Sequence, residues 1–455
     1  MSLLPSLVSP ADAAFLLPET RDQPMHVGSL QLFRPPPGSD VHDLALVYAA
    51  ALATPDVALL FRRRLTRGVG TLGQWAWEDD TTIDLEHHVR HSSLPKPGRM
   101  RELLALCSRL HSTLLDRQRP LWEMHLIEGL EDGRFAVYTK IHHALLDGVS
   151  GLRLLERSLS TDPDVRDTPM PFAARPRAGK RGGLDVGGLL SSGLHAVADA
   201  VTIGPKVAAL VEQGFRHEGA VLPGQAPRSI LNVPITGSRR FAGDAWALDR
   251  IRTVAKAAEA TINDVVLAMS AGALRDYLLG LDALPADSLV AMTPVSLRTD
   301  DSAEGNAVGA ILASLGTHLL DPEERLLHIR ESTRYAKASL DGLSALQVTA
   351  LSAGLMSPLV LNTLFGVPRV LRPPFNLIIS NVPGPTQLLY WNGARLDGMY
   401  PLSIPTSGQA LNITCTSYDG HLQFGLTGCR RTLPHLQSML AGLDDALAGL
   451  EKAFA

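Results

Sequence analysis

The chain has 455 residues, 45% of them hydrophobic and 19% charged, with a formal net charge of −4. That length suits two domains of roughly 200 residues each, and the mild acidity offers no basic footprint for a nucleic-acid partner. Three cysteines, Cys107, Cys415 and Cys429, form no C-x-x-C pair, which argues against structural zinc and a disulfide framework and fits a cytosolic protein.

The N-terminus from Met1 to Ser6 lacks the basic start and apolar core of a signal peptide. Ser9-Pro10-Ala11-Asp12 predicts a helix start, with a Ser cap, Pro at the first helical position and an acid in the first turn. Met25 to Phe33 reads as a strand. Arg101 to Leu115 carries Leu104, Cys107, Leu110 and Leu114 at helical spacing, and Pro120-Leu121-Trp122-Glu123-Met124 leads into another strand. Arg134 to Ile141 is rich in aromatic and β-branched residues, as strands are. It runs into Lys140-Ile141-His142-His143-Ala144-Leu145-Leu146-Asp147-Gly148, after which Leu152, Leu155 and Leu159 line one side of a helix.

Pro171 to Gly183 is basic, Pro/Gly-rich and without period, the signature of a flexible linker; Leu189 to Val211 beyond it reads as helical. A second mixed half begins near Ser229. Its segment Ile262 to Leu279 is apolar nearly all round, which predicts a buried helix, and Leu436 to Leu450 predicts an amphipathic closing helix. No run reaches the ~18 uninterrupted apolar residues of a membrane span. The nearest, Ala350 to Leu371, is interrupted by Ser352, Ser357, Pro358, Asn362 and Pro368, and reads as a buried helical pair or an apolar surface resting on lipid. The expected division is therefore 1–170, a crossing segment 171–228, and 229–455.

Chemistry concentrates at the adjacent histidines. Side chains alternate along a strand, so His142 and His143 project to opposite faces, one toward a channel and one into the scaffold. This favours a single base over a histidine pair and rules out a metal site of His142, His143 and Asp147. A neutral imidazole with a pKa of ~6.5 is suited to general-base work near neutrality, and His143 at the strand end is the candidate. Asp147 either orients His143 or holds the loop through a salt bridge, while Gly148 supplies a backbone conformation that residues with a Cβ resist. Thr261 and Asp264 read as a capping box, leaving Asn263 with a free amide to steady an oxyanion or an acyl carbonyl. No G-x-S-x-G elbow marks a serine nucleophile.

The string His-His-x-x-x-Asp-Gly between strand and helix resembles the motif of the coenzyme-A-dependent acyltransferase superfamily, which includes chloramphenicol acetyltransferase and peptide-synthetase condensation domains. Pro120-Leu121-Trp122-Glu123, Asn263-Asp264, Pro294-Val295-Ser296-Leu297-Arg298 with Gly305-Asn306, and Ser380-Asn381-Val382-Pro383-Gly384-Pro385 follow in the order found in bacterial wax ester synthase/diacylglycerol acyltransferases. With Ser9-Pro10-x-Asp12 and Met25-His26-Val27-Gly28, the similarity spans nearly the whole chain. The Asp-Phe-Gly-Trp-Gly segment of plant-type superfamily members is absent.

The resemblance implies an α/β fold of two chloramphenicol-acetyltransferase-like halves, each a mixed sheet with helices, and an active-site tunnel between them. It implies transfer of a long-chain acyl group from acyl-CoA, used as substrate with no bound cofactor, to a fatty alcohol or diacylglycerol. His143, His142, Asp147, Gly148 and Asn263 would be catalytic. Arg298 would bridge to Asp147, and Asp264, Ser380, Asn381, Pro383 and Gly384 would support the site. Pro120, Leu121 and Trp122 fall along the substrate tunnel, although Trp122 alone reads as a packing aromatic. The enzyme is expected at a membrane or lipid-droplet surface without spanning it, as a monomer or weak homodimer. Two other readings share the histidine motif: an amide-forming condensation-type acyltransferase, and a non-catalytic lipid-binding protein of the same fold.

Overall fold

A computed structural model describes residues 6–36, 38, 42–146, 148–174, 221, 224–296, 308–341, 343–344, 347–348, 351, 354 and 372–455. The expected calls on Asp147, Arg298, Gly305-Asn306, the linker 175–220 and most of the apolar run 350–371 lie outside the described residues.

The aromatic and β-branched run before the histidines forms the strand Phe135–His142. It pairs antiparallel with His26–Arg34 on one side and Trp122–Glu128 on the other. Val89–Ser93 adds a parallel edge, and Ala394–Leu402 followed by Tyr390–Trp391 completes the opposite side of this six-stranded sheet. The second sheet also has six strands, in the order Val308–Ser314, Val290–Ser296, Leu377–Val382, Leu411–Tyr418, His421–Cys429 and Arg239–Ala247. Leu377–Val382 runs parallel to both neighbours while the remaining pairs are antiparallel. The two-sheet α/β architecture expected from the sequence is present.

One segment crosses between the expected halves. Residues 390–402 fall in the expected second half, yet both of their strands hydrogen-bond into the first sheet, with Tyr400 opposite Leu30 and Pro401 opposite Ser29. The free edge of His26–Arg34 has no other partner to satisfy its backbone groups, so a strand late in the chain returns to cover it.

The helices follow their local signals. Ser9 Oγ accepts from the Asp12 amide at 3.1 Å and starts Pro10–Leu16. Met100–His111 forms with Cys107 buried as expected, but Leu103, Ser108 and His111 are buried with it while Leu104 and Leu110 are half-buried. The burial-rich helix Ile262–Leu279 is covered by the second sheet, by Pro322–Ala338 and by the closing helix Ser438–Ala453. Gly272 meets Ala446 so closely that a Cβ at Gly272 would stand 2.7 Å from that of Ala446. Met439, Leu443, Leu447 and Leu450 form the buried stripe of the closing helix.

Candidate active site

His142 ends its strand and is fully buried. Its backbone N–H donates to the Leu121 carbonyl at 3.0 Å, and its Nδ1 accepts from the Ala144 amide at 3.1 Å. A ring nitrogen that accepts from an amide carries no proton, so the proton of the neutral ring sits on Nε2. That atom faces Glu19 Oε1 at 3.2 Å. Glu19 is itself buried; its Oε1 also accepts from the Met25 amide at 3.1 Å and its Oε2 from Arg117 Nε at 2.9 Å. Burial alone would raise the Glu19 pKa, but His142, the Met25 amide and Arg117 together hold it below the usual carboxylate range.

His143 occupies the next position, in the turn. Its amide donates to the Met25 carbonyl at 2.9 Å, and its ring stacks on Phe15, with centroids 4.0 Å apart and planes 14° apart. Phe15 belongs to the helix that Ser9 and Pro10 start, so the opening motif places an aromatic plate beneath this imidazole.

The strand separates two environments. Thr139 and Ile141 line a cavity of roughly 690 Å³, open mouth included. Lys140 and His142 point the other way, into a buried polar layer. There Lys140 Nζ donates to the carbonyls of Leu110 and Thr113 at 3.1 and 3.0 Å and lies 3.1 Å from Glu123 Oε2. His26 Nε2 lies 2.9 Å from the His111 carbonyl, and His111 bridges Tyr138 Oη and the Ser403 carbonyl at 2.8 and 3.1 Å. Burial pushes the His26 pKa well down and that of His111 to about 3, so both rings are neutral at pH 7.

The cavity lies between the halves. Val27 and Ser29 come from the first sheet, Val382, Thr414 and Thr416 from the second, Leu146, Leu152 and Leu155 from the turn and helix after the histidines, and Met399 from the crossing strand.

The other sequence candidates divide. Gly148 opens the helix Gly148–Glu156. Asp264 caps Ile262–Leu279: its Oδ2 accepts from the Thr261 amide and hydroxyl at 2.9 and 2.7 Å, and its Oδ1 from Thr333 at 2.7 Å. Asn263 is half-buried in the first turn of that helix, and its amide bonds to no described residue. Ser380 lies opposite Thr414 and Asn381 opposite Cys415 in the parallel register. Pro383 is exposed in the turn that follows. Gly384 donates its amide to Ser417 Oγ at 3.1 Å, and a Cβ at this position would stand 2.1 Å from the Ser417 carbonyl oxygen.

Pro120, Leu121 and Trp122, expected along the tunnel, are buried in packing instead and do not line this cavity. Trp122 stacks on His88 and Phe172, and its indole N–H donates to the Phe61 carbonyl at 2.8 Å. An indole already satisfied and enclosed has no face left for substrate. Glu19, Phe15 and Arg117 were missed; Phe15 alone had a signal, its place in the capped opening helix. Among the described residues no cluster of three or more His, Cys, Asp or Glu could hold a metal, and no helix is long and apolar enough to cross a membrane.

Comparisons with known proteins identify the family. Residues 8–266 match the wax ester synthase/diacylglycerol acyltransferase catalytic domain, and residues 304–451 match the C-terminal domain of the same family. A Mycobacterium tuberculosis protein provisionally named a diacylglycerol O-acyltransferase is 49% identical over 98% of this chain and 99% of its own length. A solved wax ester synthase/diacylglycerol acyltransferase from Marinobacter aquaeolei is 42% identical, superposes with a TM-score of 0.81, and each chain covers 99% of the other. The first condensation domain of a calcium-dependent antibiotic synthetase shares the fold alone, at 19% identity and a TM-score of 0.61 over 100% of this chain and 97% of its own. The chain belongs to the wax ester synthase/diacylglycerol acyltransferase family and is an acyltransferase.

Proposed function

We propose that the enzyme transfers a long-chain acyl group from acyl-CoA to the hydroxyl of a fatty alcohol or a diacylglycerol, with His143 as general base. The observation that carries this reading is the alternation of the histidine strand. Thr139 and Ile141 face the cavity between the halves and Lys140 and His142 face away; His143 follows in the turn at the strand end, on Phe15 and outside the cavity's own lining, and the same alternation assigns it to the cavity side. His142, locked between the Ala144 amide and Glu19, anchors the turn that presents its neighbour.

The acceptor hydroxyl gives its proton to the imidazole as its oxygen bonds to the thioester carbonyl carbon. The tetrahedral oxyanion collapses, the carbon–sulfur bond breaks, and the thiolate recovers the proton from the imidazolium. A thiol pKa of ~8.5 makes the sulfur a far better leaving group than an alkoxide, so collapse runs toward the ester. No covalent enzyme intermediate is needed. Asp147 with Arg298 is assigned to holding the turn, and Asn263 to steadying the carbonyl oxygen. Acceptor and product are both strongly apolar, so the enzyme works at a membrane or lipid-droplet surface.

Thiol release from palmitoyl-CoA, measured with hexadecanol, with diolein and without acceptor, tests the reading. Acceptor-dependent release that falls about 10²- to 10⁴-fold in a folded His143→Ala variant is expected. Ester formation at the native rate by that variant overturns it.

A further inference from the structure

We propose that Ser29 and Thr416 form a hydroxyl pair that binds an ester carbonyl of the acceptor, so that the cavity distinguishes a glycerolipid from a plain fatty alcohol. The inference rests on the acyl-transfer reading above and assigns a specificity role to residues outside the histidine motif.

The cavity wall is mostly apolar, with Val27, Ile141, Leu152, Leu155, Val382 and Met399 on it. Among its hydroxyl groups, that of Thr414 is engaged, donating to Asn412 Oδ1 at 2.8 Å. Ser29 Oγ and Thr416 Oγ1 are buried with no partner among the described residues, and Thr416 is only 2% exposed. A buried hydroxyl without a partner is unfavourable, so two of them among the lining of one cavity mark a place where a ligand oxygen belongs.

The pair is built from both halves. Ser29 sits between Thr139 and Pro401 in the first sheet, and Thr416 stands opposite Val382 in the second. The turn after Val382 passes close beside the second hydroxyl. A Cβ on Gly384 would lie 2.7 Å from Thr416 Oγ1, so only glycine lets the turn pass without touching it.

Two O–H donors call for an acceptor. The alkyl chain of a fatty alcohol has none, and its single oxygen is committed to the general base. A diacylglycerol offers its reactive hydroxyl and, a few bonds away, ester carbonyl oxygens that only accept.

The test measures kcat/KM with palmitoyl-CoA for diolein and for hexadecanol, in the wild type and in Ser29→Ala, Thr416→Val and Thr416→Ser. The ratio of diolein to hexadecanol is expected to fall about tenfold in Ser29→Ala and in Thr416→Val, the discrimination one neutral hydrogen bond supports. Thr416→Ser, which keeps the hydroxyl, should retain the wild-type ratio. An unchanged ratio in Ser29→Ala and Thr416→Val overturns the proposal, as does a parallel loss with both acceptors. A wild type that uses hexadecanol but not diolein also overturns it while leaving acyl transfer standing. A wild type that esterifies neither acceptor removes the acyl-transfer reading as well.

Discussion

Replacing Glu19 by glutamine isolates the contact that sequence reasoning missed. The change is nearly isosteric, yet both carboxylate oxygens accept in the native fold: Oε1 from the Met25 amide with His142 Nε2 alongside, and Oε2 from Arg117. An amide has one acceptor oxygen and one NH₂, so either orientation sets a donor against donors. Placing the NH₂ toward Arg117 opposes a guanidinium; placing it toward His142 breaks the anchor of the turn. The carboxylate side chain is 3% exposed and its removal leaves Arg117 without its counter-charge. Arg117 keeps about a third of its side chain in solvent and still donates to the Leu16 carbonyl, so the loss is about 1–3 kcal/mol. For a unit of 150–250 residues that lowers the melting temperature by roughly 2–12 °C. Differential scanning fluorimetry and steady-state thiol release on the same preparation read both effects. A Glu19→Gln enzyme that melts within a degree of the wild type and turns over normally would refute the role given to this carboxylate.

Gly384→Ala forces a Cβ to within 2.1 Å of the Ser417 carbonyl, so the turn must move; a loss of about 1–3 kcal/mol by urea denaturation is expected, and an unaltered midpoint argues against the clamp. Acid should destabilise the fold well above the carboxylate range, because His88 and His111 are held by burial at about 4 and about 3 while their unfolded counterparts take up a proton near 6.5. Their contribution is complete above pH 6.5 and lost as pH falls toward the folded values, so each removes about 2 kcal/mol by pH 5. Melting temperatures equal at pH 7.5 and 5 would contradict this. Arg298→Ala should lower thermal stability together with activity if it holds Asp147, and a stable mutant with normal turnover removes that bridge. Charges placed at Leu355 and Leu359 should weaken vesicle flotation, and unchanged lipid binding by a folded variant clears that segment.

What could be read from the sequence was what neighbouring residues determine. The capped start at Ser9-Pro10, the strand before His142 and the buried helix after Thr261 each carry their signal within a few residues, and all three are present. Alternation also separated His142 from His143 before any coordinates. Glu19 was illegible because the partner that pairs with it, Arg117, lies 98 residues away. Trp122 packs on His88 and Phe172, as its residue type alone suggested, and only the family resemblance had set it along the tunnel. The face of Met100–His111 was read only at Cys107 because leucines at 103, 104, 106 and 110 leave the edges of the stripe ambiguous.

The strand Ala394–Leu402 has a consequence for how the molecule is made. Hydrogen bonds from His26–Arg34 wait on a segment that begins only at residue 394. During synthesis the first sheet therefore emerges from the ribosome with an open side, an invitation to pair with another nascent chain until residue 402 is free to close it. Cutting the protein between its halves should yield two fragments that aggregate alone and recover only when refolded together.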